Sequence, residues 1–182
     1  MSCFRWCFAT RCYVLPPRAA FAWSSRILDE VTRNLIDPYG MEGAKAIALR
    51  ALMEEAFPEA EVGGWEALEP TMRNHPKDRH VAAAAATIGA QIIVTSNIRD
   101  FADLPAGVEA MTPDQFLSVL LETAPVALIS ALRVQAAGYR RPPMSAAELV
   151  QQLAALAPTF SAAAARAIKG EGAPAVSARK TN

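Results

Sequence analysis

The fold class is decided by residues 76–101, PKDRHVAAAAATIGAQIIVTSNIRDF. Pro76 predicts the start of a helix, and Gly89 predicts its end in a left-handed turn. The β-branched run of residues 91–95 follows, a pattern typical of a buried strand in a parallel sheet. We expect this run to be a central strand with helix 77–89 packed against it. The order of helix and strand therefore predicts an α/β fold.

Further helices are predicted before this segment. Ser24 or Ser25 can cap a helix that runs through ILDEVTRNLI, residues 27–36. A second helix is expected over about Met41–Phe57. Its apolar positions are consistent with one buried side, formed by Ile47, Leu49, Leu52, Met53 and Phe57.

After the segment, residues 108–111 predict one more strand, and Thr112 is expected to cap a helix. Beyond that strand only helices are predicted, over Pro113–Leu121, Pro125–Ala137, Ser145–Ala157 and Phe160–Lys169. The 182 residues are therefore predicted to form four parts. These are a divergent N-terminal segment (1–22), an α/β domain (23–117), a helical C-terminal region (118–169) and a disordered tail (170–182).

Composition excludes several function classes. The 18 basic and 18 acidic residues cancel, so no overall charge attracts the chain to nucleic acid or membrane. A polyanion site must therefore be local or assisted by a metal. The longest uncharged stretch, Val81–Ile98, is alanine-rich and polar at its end, so it is a poor membrane span. The spacing of Cys3, Cys7 and Cys12 fits no zinc pattern, which favours reduced thiols and a cytoplasmic location.

Residues that could carry chemistry fall at special places in the predicted fold. Glu30 lies at the edge of the apolar stripe of the first helix, and Asp78 lies in the first turn of the helix that Pro76 begins. Asn97 and Asp100 follow the carboxyl end of the predicted strand, where ligands bind in open α/β sheets. Each also has an ordinary interpretation, as a solvated, capping or turn residue. Together they favour a carboxylate cluster at one rim, which needs a divalent cation such as Mg²⁺ to offset its charge.

The two histidines indicate no catalytic pair. His75 and His80 are five residues apart, so they do not share a helix face as in a zinc-binding His-Glu-x-x-His motif. We interpret His80 as a surface residue near Asp78.

The stretches ILDEVTRNL, PKDRHVAAAA and IIVTSNIRDF, in this order, resemble PIN-domain ribonucleases. The likeness is to the VapC-like toxin-type branch with an added helical C-terminus, and it covers about residues 22–168. The resemblance implies a PIN-like parallel sheet flanked by helices over residues 23–117. It also implies an acidic site that binds Mg²⁺ or Mn²⁺ and cuts RNA.

The resemblance assigns roles to single residues of this chain. It implies that Glu30, Asp78 and Asp100 are catalytic, and that these three bind the metal together with Asn97. Thr95 matches the hydroxyl residue that ends the strand. The arginines that flank these positions are expected to contact RNA phosphates, namely Arg33, Arg79 and Arg99.

One departure from the family pattern bears on activity. The family begins with a strand that carries an Asp, whereas this chain has no acid before Asp29. Two hypotheses follow: an active metal-dependent endoribonuclease, the toxin of a toxin–antitoxin pair, or a weak or inactive PIN-like remnant that binds RNA or a partner protein. An unrelated helical protein is a third alternative. The partners considered are single-stranded or structured RNA, a cognate antitoxin and a second copy of the chain, and no membrane partner is expected.

Overall fold

The computed structural model describes residues 21–170, and this part of the chain is mostly helical with a small parallel sheet. The elements are α1 (Ser25–Ile36), α2 (Gly43–Ala56), α3 (Arg79–Thr87), β1 (Ile92–Val94), β2 (Glu109–Met111), α4 (Pro113–Thr123), α5 (Pro125–Gly138), α6 (Ala146–Leu153) and α7 (Pro158–Gly170). Short 3-10 turns lie at Pro58–Ala60, Trp65–Ala67, Glu69–Thr71, Pro76–Asp78 and Ile98–Phe101. This content is consistent with the predicted α/β class. The predicted N-terminal segment up to residue 20, its three cysteines and the tail from residue 171 lie outside the described residues.

Local sequence signals set several helix ends. The side chain of Ser24 accepts a hydrogen bond from the backbone N–H of Ile27, which confirms the predicted cap of α1. Gly89 follows α3 with a φ of +65°, the left-handed conformation that favours glycine. Thr112 and Ser145 each form a capping box, at the starts of α4 and α6. The predicted caps at Ser24 and Thr112 and the predicted turn at Gly89 are confirmed, because each depends on contacts within a few residues.

The sheet consists of β1 and β2 in parallel, with Ile93 paired to Ala110. Ile93 packs with Ala85 of α3 and with Phe101, so the predicted contact of helix and parallel strand is confirmed. The expectation of a buried central strand is wrong for the residues described. The sheet there has two strands, and Val94 is 45% exposed because α3 covers only the face that carries Ile93.

The buried side of α2 differs from the prediction. Ala46 and Met53 are buried, whereas Ile47 and Leu52 are 62% and 61% exposed. Positions 46 and 53 are two helical turns apart and therefore lie on one face, which packs against α1. Ile47 and Leu52 lie off that face, so the prediction is wrong for them, whereas Met53 is buried as predicted and Leu49 and Phe57 are partly buried against the same clusters.

The last four helices pack around a core of their own. Leu121, Ile129, Leu149 and Phe160 come from α4, α5, α6 and α7 respectively, and all are buried in one cluster. The predicted helix Ser145–Ala157 is too long, since α6 ends at Leu153. Within residues 21–170 no single helix has the length and apolar content to cross a membrane. Only α4 and α5 counted together reach those limits, and they are bent by 117° at their junction.

Candidate metal and active site

Two turns meet at the carboxyl end of β1. The backbone N–H of His75, just before Pro76, donates to the carbonyl of Asp100 at 3.0 Å. The N–H of Asp78 in turn donates to the carbonyl of His75 at 2.9 Å. The turn that leads into α3 is therefore fixed to the turn that follows β1, and both turns carry carboxylates.

The side chains of His75, Asp78 and Asp100 form a compact group of potential ligands. One ligand atom from each residue lies within 4.8 Å of the other two. Burial raises the pKa of Asp78, and its hydrogen bond to Asp100 together with the negative charges of Asp100 and Glu30 raises it further. Lys77 opposes this effect only in part. The site therefore concentrates negative charge that the neighbouring cation does not neutralise.

Asn97 orients one of these carboxylates. Its side-chain nitrogen donates a hydrogen bond to Oδ2 of Asp100. Its backbone N–H donates to the hydroxyl of Thr95 at 3.1 Å, directly after β1. Thr95 itself is fixed by a backbone hydrogen bond of 2.9 Å to the carbonyl of Met111. The sheet thus positions Asp100 through a short chain of hydrogen bonds.

Glu30 lies near the group but outside it. It is half-buried on α1, and its Oε2 is 3.6 Å from Nε2 of His80. Its charge contributes to the raised pKa of Asp78. Of the residues predicted for the site, the structure brings Asp78, Asp100 and Asn97 into contact and places Glu30 at their margin.

The interpretation of His80 as a surface residue is wrong, because its side chain is fully buried. Burial lowers the pKa of His80, although the charge of Glu30 acts in the opposite direction. The ring lies 6.1 Å from that of Trp65, and Arg26 lies 5.9 Å from the Trp65 ring. Trp65 belongs to the 3-10 turns before α3, and no local pattern around His80 predicts that they cover it.

His75 is the site residue that the sequence analysis missed. The spacing of the two histidines bears only on a shared helix face, whereas His75 lies in the turn before the helix. Its position beside Pro76 and three residues before Asp78 was the available signal.

The arginines predicted to bind RNA differ in their surroundings. Arg33 and Arg99 are exposed, on α1 and in the turn after β1. Arg79 is half-buried, and its Nε donates to the backbone carbonyl of Asn74 at 3.3 Å. Their contact with RNA stays a prediction.

The donor set fits a divalent cation. Ligand atoms about 2.0–2.2 Å from one ion lie at most about 4.4 Å apart, so the group needs only small side-chain movements to close on an ion. Asp78 and Asp100 can share a hydrogen bond only while one of them is protonated. When both are ionised they repel each other, and a cation between them relieves this repulsion.

Comparison with known proteins agrees with the resemblance in the sequence. Residues 113–166 match the family model described as the VapC50 C-terminal domain. Over 106 residues the chain is 36% identical to a Mycobacterium tuberculosis protein that carries the name "Putative ribonuclease VapC50". The alignment covers 57% of this chain and 63% of that relative, so the chain spans less than two thirds of the relative's length. No solved structure matches the chain significantly. The chain is therefore similar to the "Putative ribonuclease VapC50" over part of its length, and its C-terminal helices match the VapC50 C-terminal domain.

Proposed function

We propose that this protein is a metal-dependent endoribonuclease and the toxin of a toxin–antitoxin pair. The observation that carries the proposal is the contact of Asp78 and Asp100 at the carboxyl end of β1, with Glu30 at the margin, in a chain that is similar to the "Putative ribonuclease VapC50". We also propose that residues 23–117 have a PIN-like fold, with β1 and β2 in its parallel sheet and helices on its flanks.

The side chains of the site would have different roles in binding the metal and in catalysis. Asp78, Asp100 and Asn97 would hold the cation, and Glu30 would complete the negative charge around it. Glu30, Asp78 and Asp100 are the proposed catalytic residues. A bound Mg²⁺ or Mn²⁺ would polarise the phosphodiester group and lower the pKa of a water molecule. Asn97 keeps the Asp100 carboxylate pointed at the group, which reduces the reorganisation needed when an ion binds.

RNA is the proposed substrate, because the chain has exposed arginines beside an acidic site. Arg33 on the helix of Glu30 and Arg99 next to Asp100 in the chain are proposed to contact phosphates, and Arg79 would add charge next to Asp78. With a chain of zero formal net charge, such contacts must be local. The proposed protein partners are a cognate antitoxin and a second copy of the chain, and the proposed location is the cytoplasm.

The proposal is tested by cleavage of a fluorescent single-stranded RNA. The wild-type protein should cleave it in Mg²⁺ or Mn²⁺, and a chelator should stop the reaction. Asp78→Asn should lower cleavage at least about 100-fold, since it removes a proposed ligand. Asp103→Asn, an exposed acid beyond the group, is the matched control and should cleave like the wild type. Cleavage that survives both the chelator and Asp78→Asn would contradict the proposal.

A second function is favoured by one observation. The described group contains two carboxylates and an imidazole, fewer acids than a site built for strong Mg²⁺ binding would use. A weak or inactive relative would bind RNA or a partner protein without cutting. In that case Arg99→Gln should weaken RNA binding, Asp78→Asn should leave it unchanged, and no chelator-sensitive cleavage should occur.

A further inference from the structure

The imidazole of His75 is the unusual member of the ligand group. Asp78 and Asp100 offer oxygen, whereas His75 offers nitrogen, and all three ligand atoms lie within 4.8 Å of one another. The ring is exposed and accepts only a long hydrogen bond, 3.4 Å, from the backbone N–H of Lys77 to Nδ1. So weak a bond is easily replaced by a stronger ligand.

A second observation points to a ligand at this end of the molecule. His80 is fully buried, yet neither ring nitrogen has a hydrogen-bond partner, and Nε2 faces Oε2 of Glu30 at 3.6 Å. The side chain of Asn74, next to His75, is also buried with both polar atoms unpaired. Buried polar groups are normally hydrogen-bonded. His80 faces Glu30 and Asn74 precedes His75 in the chain, so two such exceptions lie next to the ligand group, as expected if the region is organised around a bound group.

We propose that His75 is a nitrogen ligand of the metal site and raises its affinity for Co²⁺ and Zn²⁺ more than its affinity for Mg²⁺. This inference rests on the proposed function, because it concerns the same site.

The chemistry of the donor atoms sets the direction of this preference. Mg²⁺ favours oxygen ligands and retains several waters, so replacing an oxygen by an imidazole gains it little. Co²⁺ and Zn²⁺ accept imidazole nitrogen readily. A site with one imidazole and two carboxylates therefore increases the affinity for these ions more than the affinity for Mg²⁺. The relevant quantity is the ratio of the Mg²⁺ and Zn²⁺ dissociation constants.

Calorimetric titration of the full chain with Co²⁺, Zn²⁺ and Mg²⁺ tests the inference without an activity measurement. His75→Ala should weaken Co²⁺ and Zn²⁺ binding at least about 10-fold, since even the loss of outer-shell partners lowers metal affinity about 10–100-fold. Its Mg²⁺ affinity should change less than about 3-fold. The visible absorption of bound Co²⁺ should also shift, because its ligand field loses a nitrogen.

Two further variants make the test decisive. His75→Asp supplies oxygen instead of nitrogen, so it should strengthen Mg²⁺ binding while it weakens Zn²⁺ binding, a gain that misfolding cannot mimic. Asp103→Asn is the control and should leave all three affinities unchanged. Equal losses for all ions, or wild-type binding by His75→Ala, would overturn the role of His75.

The same titrations separate this inference from the proposed function. If Asp78→Asn abolishes metal binding while His75→Ala changes nothing, the metal site stands and His75 is not a ligand. If the wild type binds none of the three ions, or Asp78→Asn binds them unchanged, the metal site itself is refuted and the inference with it.

Discussion

The Oδ1 atom of Asp114 accepts a hydrogen bond of 2.8 Å from the backbone N–H of Phe160. Asp114 lies in the first turn of α4 and Phe160 in the first turn of α7, 46 residues further along the chain. The carboxylate therefore caps a helix that is distant in sequence. Burial opposes the ionisation of Asp114, but hydrogen bonds from Phe160 and Thr159 outweigh it and lower its pKa.

Asp114→Ala should destabilise the protein by about 0.5–2 kcal/mol, because it leaves backbone N–H groups at the start of α7 without a cap. Urea unfolding followed by circular dichroism measures this loss. Glu122→Ala, an exposed acid at the other end of α4, is the control and should change stability by less than about 0.5 kcal/mol. Equal losses in the two variants would show that the Asp114 contact contributes nothing specific.

The contribution of Asp114 should also depend on pH. Since its pKa in the folded protein lies below the ordinary value of 3.8, the ionised form stabilises the fold. The stability gap between wild type and Asp114→Ala should be constant above about pH 5 and shrink as the pH falls through the folded pKa. Urea midpoints of both proteins between pH 2.5 and 7, about one reading per half unit, measure the gap. A gap that persists at the lowest pH would refute the assignment.

Asp78→Asn should stabilise the metal-free protein at neutral pH. The pKa of Asp78 is raised in the folded state, so its stabilising effect is complete below the ordinary value of 3.8 and is lost as the pH rises through the folded pKa. The neutral amide resembles the protonated acid and avoids repulsion by Asp100. In a chelator at pH 7, the melting temperature should rise by up to about 3 °C. A lower melting temperature would instead identify Asp78 as a structural residue.

Ser145→Ala should cost about 0.5–2 kcal/mol of stability, because the Ser145 side chain accepts the N–H of Glu148 and closes the capping box of α6. Ser130→Ala, at an exposed position within α5, removes the same hydroxyl from a helix interior and should have little effect. Thermal melts of the two variants side by side make the comparison. A loss at Ser130 as large as that at Ser145 would argue against the cap.

Met53→Ala and Ile47→Ala should differ sharply in their loss of stability, although both shorten an apolar side chain of α2. Met53 is 3% exposed, so its truncation should cost about 2–5 kcal/mol. Ile47 is largely exposed, so its truncation should cost less than about 0.5 kcal/mol. Urea midpoints of the two variants test this, and a large loss at Ile47 would show that a neighbouring surface covers it in solution.

Features that depend on neighbouring residues could be predicted from the sequence. The caps at Ser24, Thr112 and Ser145 and the turn at Gly89 are set within a few residues, and all are present. The parallel pairing of β1 could be predicted because a β-branched run after a helix leaves few alternatives.

Features that depend on distant residues could not be predicted. His80 is buried because the turn that carries Trp65 packs over it, and nothing near His80 encodes that contact. His75 joins the ligand group only because its backbone binds Asp100 across the sheet end. Exposure of Val94 likewise depends on which face of the strand α3 reaches. Local pattern therefore identified the acids of the candidate site but not the imidazoles beside them.

The shortness of the parallel strand pair affects how the site opens. Each strand has three residues, so few backbone hydrogen bonds hold the strand pair that precedes the turn of Asp100. Local opening of this region should therefore need less free energy than opening of the C-terminal helical core. In hydrogen–deuterium exchange, the amide of Thr95 should exchange well before that of Leu149, and a saturating divalent ion should slow Thr95 while leaving Leu149 unchanged. The ligand, rather than the sheet, would then set the lifetime of the closed site.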